Sequence, residues 1–511
     1  MKALRIIGLI AIVLVAAWFA WRTWRPSTPA PVQTPPPARE VFHVAKPLRV
    51  EIHRTTDTGQ AVADQGWLLR EIRYVLARGR MKVAPLPDPY FEADAQNQSQ
   101  PPGTDARPFT LKITIDDTNA NAQLALIAPD RVQERIESVP INRESPLAMV
   151  RGLAERLPHF LGAPTGATEW SASLGTTDAA AYDTFVRASD ELFAPTAVGF
   201  TAPPSPAQDA VLNVERVETL ARRHRDFARA RALLSISYLS VGGEDQASLT
   251  KLAETAAERA LTVDPQLADA HAALGIVRLR RMDWAAAHEH FNAALAIDAS
   301  SLPALEGLGC LLMDAGHSAQ ALPIATRIAN LQPGNRGARQ CASYALIAQQ
   351  SQAAVSNDRP FDVAKIYGTT LLLAGDQANA ETLLKADAQH LSGLIDAVVS
   401  ATTARERVPE ALQAITRAAD DEDIDIETEL LFGTALRRPD FVFNRMLRLV
   451  KQNEAVPLRM LWLPQTEFLR RHRRFREVVS AATLTTYWQD HGVPDVCVAE
   501  PKVHGCAVKP K

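Results

Sequence analysis

The chain has 511 residues, of which 47% are hydrophobic and 22% charged, which is ordinary for a folded protein and excludes a wholly disordered or fibrous chain. This length corresponds to roughly three domains. Lys and Arg total 55 against 58 Asp and Glu, so the net charge of −3 provides no overall attraction for nucleic acid. The four cysteines show no CxxC spacing, so we expect neither a disulfide-rich scaffold nor a structural zinc site, and no cofactor.

The first 25 residues contain an uncharged apolar segment, residues 6–21, with two basic residues on each side. A helix of this length covers roughly 24 Å, slightly less than a hydrocarbon core of about 30 Å, and flanking residues can supply the difference. Trp18, Phe19 and Trp21 disfavour a cleavage site, so the pattern favours an uncleaved signal anchor over residues 1–25, with a cleaved signal peptide as the alternative. The short amino-terminal head favours an orientation with the amino terminus on the cytosolic side and the remaining chain on the opposite side of the membrane.

Residues 26–40 form a linker that contains six prolines. A stiff polyproline spacer of about 3.1 Å per residue and a disordered link both fit this composition. Either one would separate the folded part of the chain from the bilayer.

Residues 41–165 combine strand and helix patterns and predict a small α/β domain. Strict alternation of apolar and polar residues indicates strands, whereas a spacing of three and four indicates helices. The predicted strands are residues 47–54, 81–86, 109–116, 122–128 and 131–139, with an antiparallel hairpin formed by the third and fourth. The predicted helices are residues 65–78 and 146–161.

This order of elements resembles the α/β domain at the amino terminus of the periplasmic TolB protein. The domain also occurs, fused to helical repeats, in bacterial membrane-anchored signalling proteins often labelled adenylate-cyclase-like. In this chain the similarity lies in the order of elements around residues 76–87 and 148–162. Because the chain has no metal-binding Asp pair or nucleotide loop, the resemblance implies no cyclase activity. Those relatives often carry a DNA-binding domain before the membrane segment. Only five residues precede it here, so we expect no such domain and no nucleic-acid partner.

The middle of the chain repeats itself every 34 residues. The pair Leu274 and Gly275 recurs as Leu308 and Gly309, and Ala287 recurs as Ala321. This period and these residue types resemble the tetratricopeptide family over residues 227–425, most closely in two central repeats. The expected fold class is therefore mainly α, a tetratricopeptide-type solenoid that follows a transmembrane helix and a small α/β domain.

The resemblance implies that the first helix of each repeat, helix A, lines a concave surface that holds a peptide or partner protein. We call this surface the A-helix face. The positions that match the family's groove are Asp269, Ala272, Ile276, Leu279, Arg280, Glu306, Cys310, Met313, Asp314, Gln340, Tyr344 and Ile347. Partner binding at these positions requires that the chain's own residues leave the face free.

Two helical regions flank the repeats: a connector at residues 166–226 and a cap with a tail at residues 426–511. The carboxy-terminal part resembles the terminal segment of the same membrane-anchored group and carries Trp462, Pro464, Arg474, Phe475, Tyr487, Trp488, Gly492, Pro494, Asp495 and Cys497. We expect its aromatic residues to cover the last repeat. Cys497 and Cys506 are candidates for a disulfide, whereas Cys310 and Cys341 are expected to be buried thiols.

No arrangement typical of catalysis is present in the sequence. His288 and His290 are separated by about 200° on a helix and cannot readily share one metal ion. The basic run at residues 470–474 is interpreted as a solvated face of one amphipathic helix. No GxSxG, HExxH or phosphate-binding loop occurs, so we expect a protein without enzymatic activity.

The leading functional hypothesis is a single-span protein of a bacterial inner membrane with its C-terminal bulk in the periplasm. It would act as a membrane-anchored periplasmic scaffold that binds a protein or peptide of the cell envelope through the A-helix face. The alternative hypothesis is a ligand-sensing signalling protein, or a regulator of an enzyme, that uses the α/β domain.

Overall fold

The computed structural model describes residues 48–55, 61–63, 66–79, 81, 83, 108–116, 118–128, 133–163, 167–193, 208–241, 246–332, 334–349, 361–386, 388–452 and 454–499. The predicted membrane anchor and the proline-rich linker lie outside these residues. Within the described part of the chain, no helix is long and apolar enough to cross a bilayer.

Five strands form one sheet in the described α/β domain. They are β1 (Leu48–Thr55), β2 (Ala61–Ala63), β3 (Phe109–Asp116), β4 (Asn121–Ile127) and β5 (Gln133–Pro140). The strand order is β2-β1-β3-β4-β5; β1 and β3 are parallel, and the other neighbours are antiparallel. Every second residue of β3 is buried, as its alternating sequence predicts, so one side of the sheet faces the core.

The described part of this domain also contains two helices: α1 (Trp67–Arg78), which packs against β1, and α2 (Pro146–Leu161), which packs against α1. Both helices and the β3–β4 hairpin confirm the sequence prediction. The alternating pattern did not reveal β2 because three residues are too few to show a period. In the expected strand 81–86, Val83 forms an isolated parallel bridge to Leu48.

Between the α/β domain and the repeats, the residues that the structure describes form the helices α3 (Ala167–Ala172), α4 (Ala179–Leu192) and α5 (Gln208–Arg223). Asp178 caps the start of α4, since its carboxylate accepts hydrogen bonds from the backbone amides of Ala180 and Ala181. Such a cap supplies partners for backbone N–H groups that the first turn leaves free.

The repeats are consecutive helices joined by short turns, which places neighbours antiparallel. They comprise α6 (Ala228–Ser240), α7 (Gln246–Val263), α8 (Ala268–Arg280), α9 (Trp284–Ile297), α10 (Leu302–Asp314), α11 (Ser318–Leu331) and α12 (Arg336–Ala348). Helices α8, α10 and α12 begin 34 residues apart, which confirms the period in the sequence.

Phe291 of α9 explains why glycine occupies two positions in helices A. Its ring is fully buried between α8 and α10. A Cβ atom added to Gly275 would lie 2.5 Å from the ring, and one added to Gly307 would lie 2.2 Å from it. These distances are too short for any larger residue, so the two glycines permit close packing of successive repeats.

The stack continues through α13 (Phe361–Ala374), α14 (Gln377–Lys385), α15 (Ser392–Thr403), α16 (Val408–Asp420), α17 (Ile426–Ala435) and α18 (Pro439–Lys451). Short 3₁₀ helices, Gln389–Leu391 and Arg405–Arg407, precede α15 and α16. Helix α13 packs against α17 as well as against its neighbour α14. This contact brings α17 towards the A-helix face.

The C-terminal segment, residues 454–499, contains the 3₁₀ helices Leu458–Trp462 and Pro464–Thr466 and the helices α19 (Glu467–Arg470), α20 (Phe475–Ala481), α21 (Leu484–His491) and α22 (Asp495–Ala499). Helix α20 packs against α18, as expected of a cap. The rest of the segment extends along the central repeats, which the cap interpretation missed. The indole nitrogens of Trp462 and Trp488 donate to the carbonyl oxygens of Asp314 (2.8 Å) and Ala315 (2.9 Å), which the end of α10 leaves without helical partners.

The basic run at residues 470–474 does not form one solvated helix, contrary to the sequence interpretation. Helix α19 ends at Arg470, and α20 begins only at Phe475. Arg470 is 2% exposed and donates hydrogen bonds to the carbonyl oxygens of Leu461 (2.6 Å) and Leu463 (2.8 Å). This arginine therefore holds the fold of the C-terminal segment together.

Candidate partner-binding face

The structure places the predicted A-helix face against other parts of the same chain. Four of its twelve side chains are half-buried: Asp269, Leu279, Arg280 and Ile347. The other eight are at most 4% exposed. In this conformation these eight side chains are inaccessible to a partner, and their role in partner binding stays a prediction.

Arg459 of the C-terminal segment reaches the end of α10. Its Nε and Nη2 atoms each lie 3.0 Å from an oxygen of Asp314, and its backbone N–H donates to the same carboxylate at 3.0 Å. Its Nη1 atom lies 3.0 Å from the sulfur of Cys341. Burial raises the pKa of Asp314 above its ordinary value, and the charge of Arg459 opposes this rise. The guanidinium of Arg459 therefore forms the hydrogen bonds that the Asp314 carboxylate on this face would otherwise offer to a partner.

Helix α17 covers the neighbouring part of the face. Gln340 donates to Glu427 at 2.8 Å, and the Lys365 ammonium lies 3.0 Å from the same carboxylate. Lys365 is fully buried and also binds both oxygens of Asp425 at 2.8 Å. Although burial opposes ionisation of Asp425, Lys365 and Arg336 lower the pKa of this carboxyl. Buried charges with mutual partners fix α17 on α12 and α13.

A disulfide joins Cys310 of α10 to Cys341 of α12, with the two Cα atoms 5.3 Å apart. The expectation of two buried thiols was therefore wrong. The 34-residue period places both cysteines on adjacent helices A, close enough for a bond. Cys497 is also disulfide-bonded and is 4% exposed. Its predicted partner, Cys506, lies outside the described residues, so that pairing stays a prediction.

Arg280, another charged position of the face, also binds the chain itself, and a shifted pKa marks Asp269. Arg280 donates to the carbonyl oxygen of Leu239 at 2.8 Å and to the Gln246 side chain at 3.2 Å. Burial lowers the pKa of Arg280 to about 10. Burial, followed by the nearby Asp298 charge, raises the pKa of Asp269 to about 6.

The α/β domain is fixed to the repeats through α1. Glu71 and Arg229 form two hydrogen bonds of 2.7 and 2.9 Å, and the hydroxyl of Tyr182 donates to Glu71. The Arg229 guanidinium also lies 3.9 Å from the centre of the Tyr74 ring. The Glu71–Arg229 pair joins residues that are 158 positions apart in the chain, and these contacts together make the α/β domain an integral part of the repeat structure.

Sequence reasoning missed Arg459, Glu427 and Lys365, which occupy the face. Two of them had a detectable signal, because each is a single cation within an apolar stretch: Lys365 in FDVAKIYG and Arg459 in PLRMLWLP. Such a residue is buried only with a partner. The position of that partner could not be deduced from the sequence.

No group of three or more His, Cys, Asp or Glu among residues 48–499, where the structure describes them, is arranged to hold a metal ion. His288 and His290 contact different partners, Tyr487 and His271, as their angular separation on the helix predicted.

Neither the protein-family models nor the curated proteins compared with the sequence gave a match. Among solved structures, the chain is similar to Pseudomonas aeruginosa pilF, with 20% identity over 44% of this chain and 91% of that chain, at a TM-score of 0.24. It is also similar to a structure of Naa15/Naa10 bound to HypK-THB, with 15% identity over 57% of this chain and 45% of that chain, at a TM-score of 0.20. The repeat architecture is evident from the helix pairs themselves, without these likenesses.

Proposed function

We propose that this chain is a non-enzymatic scaffold, anchored in a bacterial inner membrane, whose periplasmic repeats bind a protein partner of the cell envelope. The observation that carries the proposal is the stack of helix pairs with a 34-residue period, because stacked repeats present an extended surface for protein contacts. The Cys310–Cys341 disulfide supports an oxidising compartment such as the periplasm. The apolar segment at residues 6–21 supports the anchor.

Binding through the A-helix face requires that the C-terminal segment move away from it. Arg459 already fills the carboxylate of Asp314, and Trp462 lies over the end of α10. A partner that presents a guanidinium could form the same paired hydrogen bonds with Asp314 once Arg459 is displaced. The partner would therefore compete with the C-terminal segment for one site.

The test uses photo-crosslinking amino acids in the full chain in living cells. They are placed at Leu279 and Ile347, which are half-buried on the A-helix face, and at Leu252, which is 48% exposed on α7. We expect a discrete protein adduct at the first two positions and none at Leu252. Arg459→Met should increase the adduct at Ile347, whereas Arg476→Met on the exposed surface should leave it unchanged.

An adduct of equal yield at Leu252, or none at the two inner positions, would contradict binding through the A-helix face. If no adduct forms and a small metabolite raises the melting temperature, the ligand-sensing alternative is favoured. An alkaline-phosphatase fusion at the C-terminus tests the location separately, since that enzyme is active only after export.

A further inference from the structure

Three histidines from separate elements meet where α21 packs on the central repeats. His288 belongs to α9, His317 precedes α11, and His491 ends α21. The His491 ring stacks on both the Tyr487 ring and the His288 ring, with ring centres 4.3 and 4.5 Å away, and those two ring centres lie 5.9 Å from each other. The His288 Nδ1 atom and the Tyr487 hydroxyl are 2.9 Å apart and share a hydrogen bond. We call the three residues His288, His317 and His491 the histidine cluster.

His317 is the most deeply buried member of the cluster. Its side chain is 3% exposed, its ring centre lies 6.1 Å from that of Tyr487, and its Nε2 atom has no hydrogen-bond partner among the described residues. A proton added to this nitrogen would create a charge with no described acceptor, which is costly in a buried place. Burial lowers the pKa of His317, although the carboxylate of Asp495 opposes this effect.

The other groups that hold α21 and α22 on the repeats form short polar bonds. Trp284 donates to the carbonyl oxygen of Ala482 at 2.6 Å, and Thr483 donates to that of Met282 at 2.7 Å. Asp495 accepts hydrogen bonds from the Ser318 hydroxyl at 2.9 Å and from a backbone amide at 2.8 Å. The titratable groups facing the cluster are therefore Tyr487 of α21 and Asp495 of α22, together with the histidines themselves.

We propose that the histidine cluster is an acid-operated latch, which holds α21 and α22 on the repeats when its rings are neutral and releases them when they take up protons. Stacked neutral imidazoles attract, whereas two imidazolium ions at 4.5 Å repel each other. A single carboxylate, that of Asp495, is too little to balance three positive charges. Histidine is the side chain whose charge changes in mildly acidic solution.

The direction of the pH effect follows from the burial of neutral rings. Burial, followed by the proximity of His491, lowers the pKa of His288 to about 4, against 6.5 for an exposed histidine. The packing of α21 and α22 on the repeats therefore has its full stability above a pH of about 6.5, and this stability decreases as the pH falls towards 4. For each proton taken up, the ratio of molecules with α21 and α22 released to molecules with them packed rises by up to about tenfold per pH unit of acidification.

Release of α21 and α22 would also loosen the anchor of the 3₁₀ helix that carries Arg459, because Trp462 and Trp488 lie in edge-to-face contact with ring centres 5.9 Å apart. Acid would then expose the A-helix face at Asp314. This consequence rests on the proposed function, whereas the latch itself does not.

The test measures hydrogen exchange in the full chain in detergent at pH 7.5 and pH 5.0, with rates corrected for the pH dependence of chemical exchange. Protection of residues 484–491 should fall by about tenfold or more at pH 5.0, while protection of α1 should stay unchanged. His288→Gln and His317→Gln should each weaken this pH dependence. His290→Gln, on the same helix but directed at His271, should retain it.

An unchanged protection of residues 484–491 at pH 5.0 would overturn the proposal, and so would a full pH response in both cluster variants. If one variant fails to fold, the other decides the result. Because no partner is present in this experiment, its failure would leave the proposed scaffold function intact, and a failure of crosslinking would leave the latch intact.

Discussion

The ion pair between Glu71 and Arg229 offers the sharpest test of how the α/β domain is attached to the repeats. Arg229→Met keeps most of the apolar stem but leaves the Glu71 carboxylate, which is 5% exposed, without its bidentate partner. Among the described residues, the Tyr182 hydroxyl then remains as the donor to Glu71. Loss of one member of a buried ion pair costs about 3–5 kcal/mol.

Additional contacts of Arg229 place the expected loss towards the upper end of that range. Its guanidinium lies 3.9 Å from the Tyr74 ring centre and 4.6 Å from that of Phe185. A desolvated cation–π contact contributes about 2 kcal/mol or more, so we expect the free energy of unfolding to fall by about 4–5 kcal/mol. Urea unfolding of the full chain in detergent, followed by circular dichroism, measures this change.

The matched control is Arg216→Met, which removes a similar ion pair to Glu191 at the surface. These two side chains are 40% and 51% exposed, so the expected loss is about 0–1 kcal/mol. A second variant, Arg229→Met combined with Glu71→Leu, removes the unpaired charge and should recover part of the stability. Equal unfolding midpoints for Arg229→Met and Arg216→Met would refute the argument that burial makes the Glu71–Arg229 pair important.

Two further predictions concern the packing of the repeats and the disulfide. Gly307→Ala should destabilise the protein by about 1–3 kcal/mol because the new methyl group would overlap with Phe291. Gly152→Ala is the control: this residue lies on α2, a Cβ atom there would meet nothing within 4 Å, and the variant should be stabilised by up to about 1 kcal/mol. A loss of stability in both variants would contradict the steric explanation. Cys341→Ser should lower the free energy of unfolding by about 2–4 kcal/mol. Thiol titration of the unreduced, urea-unfolded protein should find Cys310 reactive only in that variant, and reactive Cys310 in the unchanged chain would disprove the disulfide.

Local periodicity explains what could be predicted from the sequence. The 34-residue repeat predicted the spacing at which α8, α10 and α12 recur, and strict alternation predicted β3 and β4 almost to the residue. These patterns succeed because a helix or strand buries one face at a fixed spacing, so the burial requirement is visible in neighbouring residues. The contact between Gly275 and Phe291 is short-range in the same sense, because the two residues lie on consecutive helices.

Only the tertiary structure decided what covers the A-helix face. Trp462 meets Asp314 across 148 residues and Trp284 meets Ala482 across 198, and no spacing in the sequence encodes either contact. The amino-acid sequence by itself determined the helix pairs and the strands β1, β3, β4 and β5, because each follows from short-range burial. The closure of the face and the histidine cluster depend on where distant segments pack, which is set by shape and charge complementarity formed only in the folded chain.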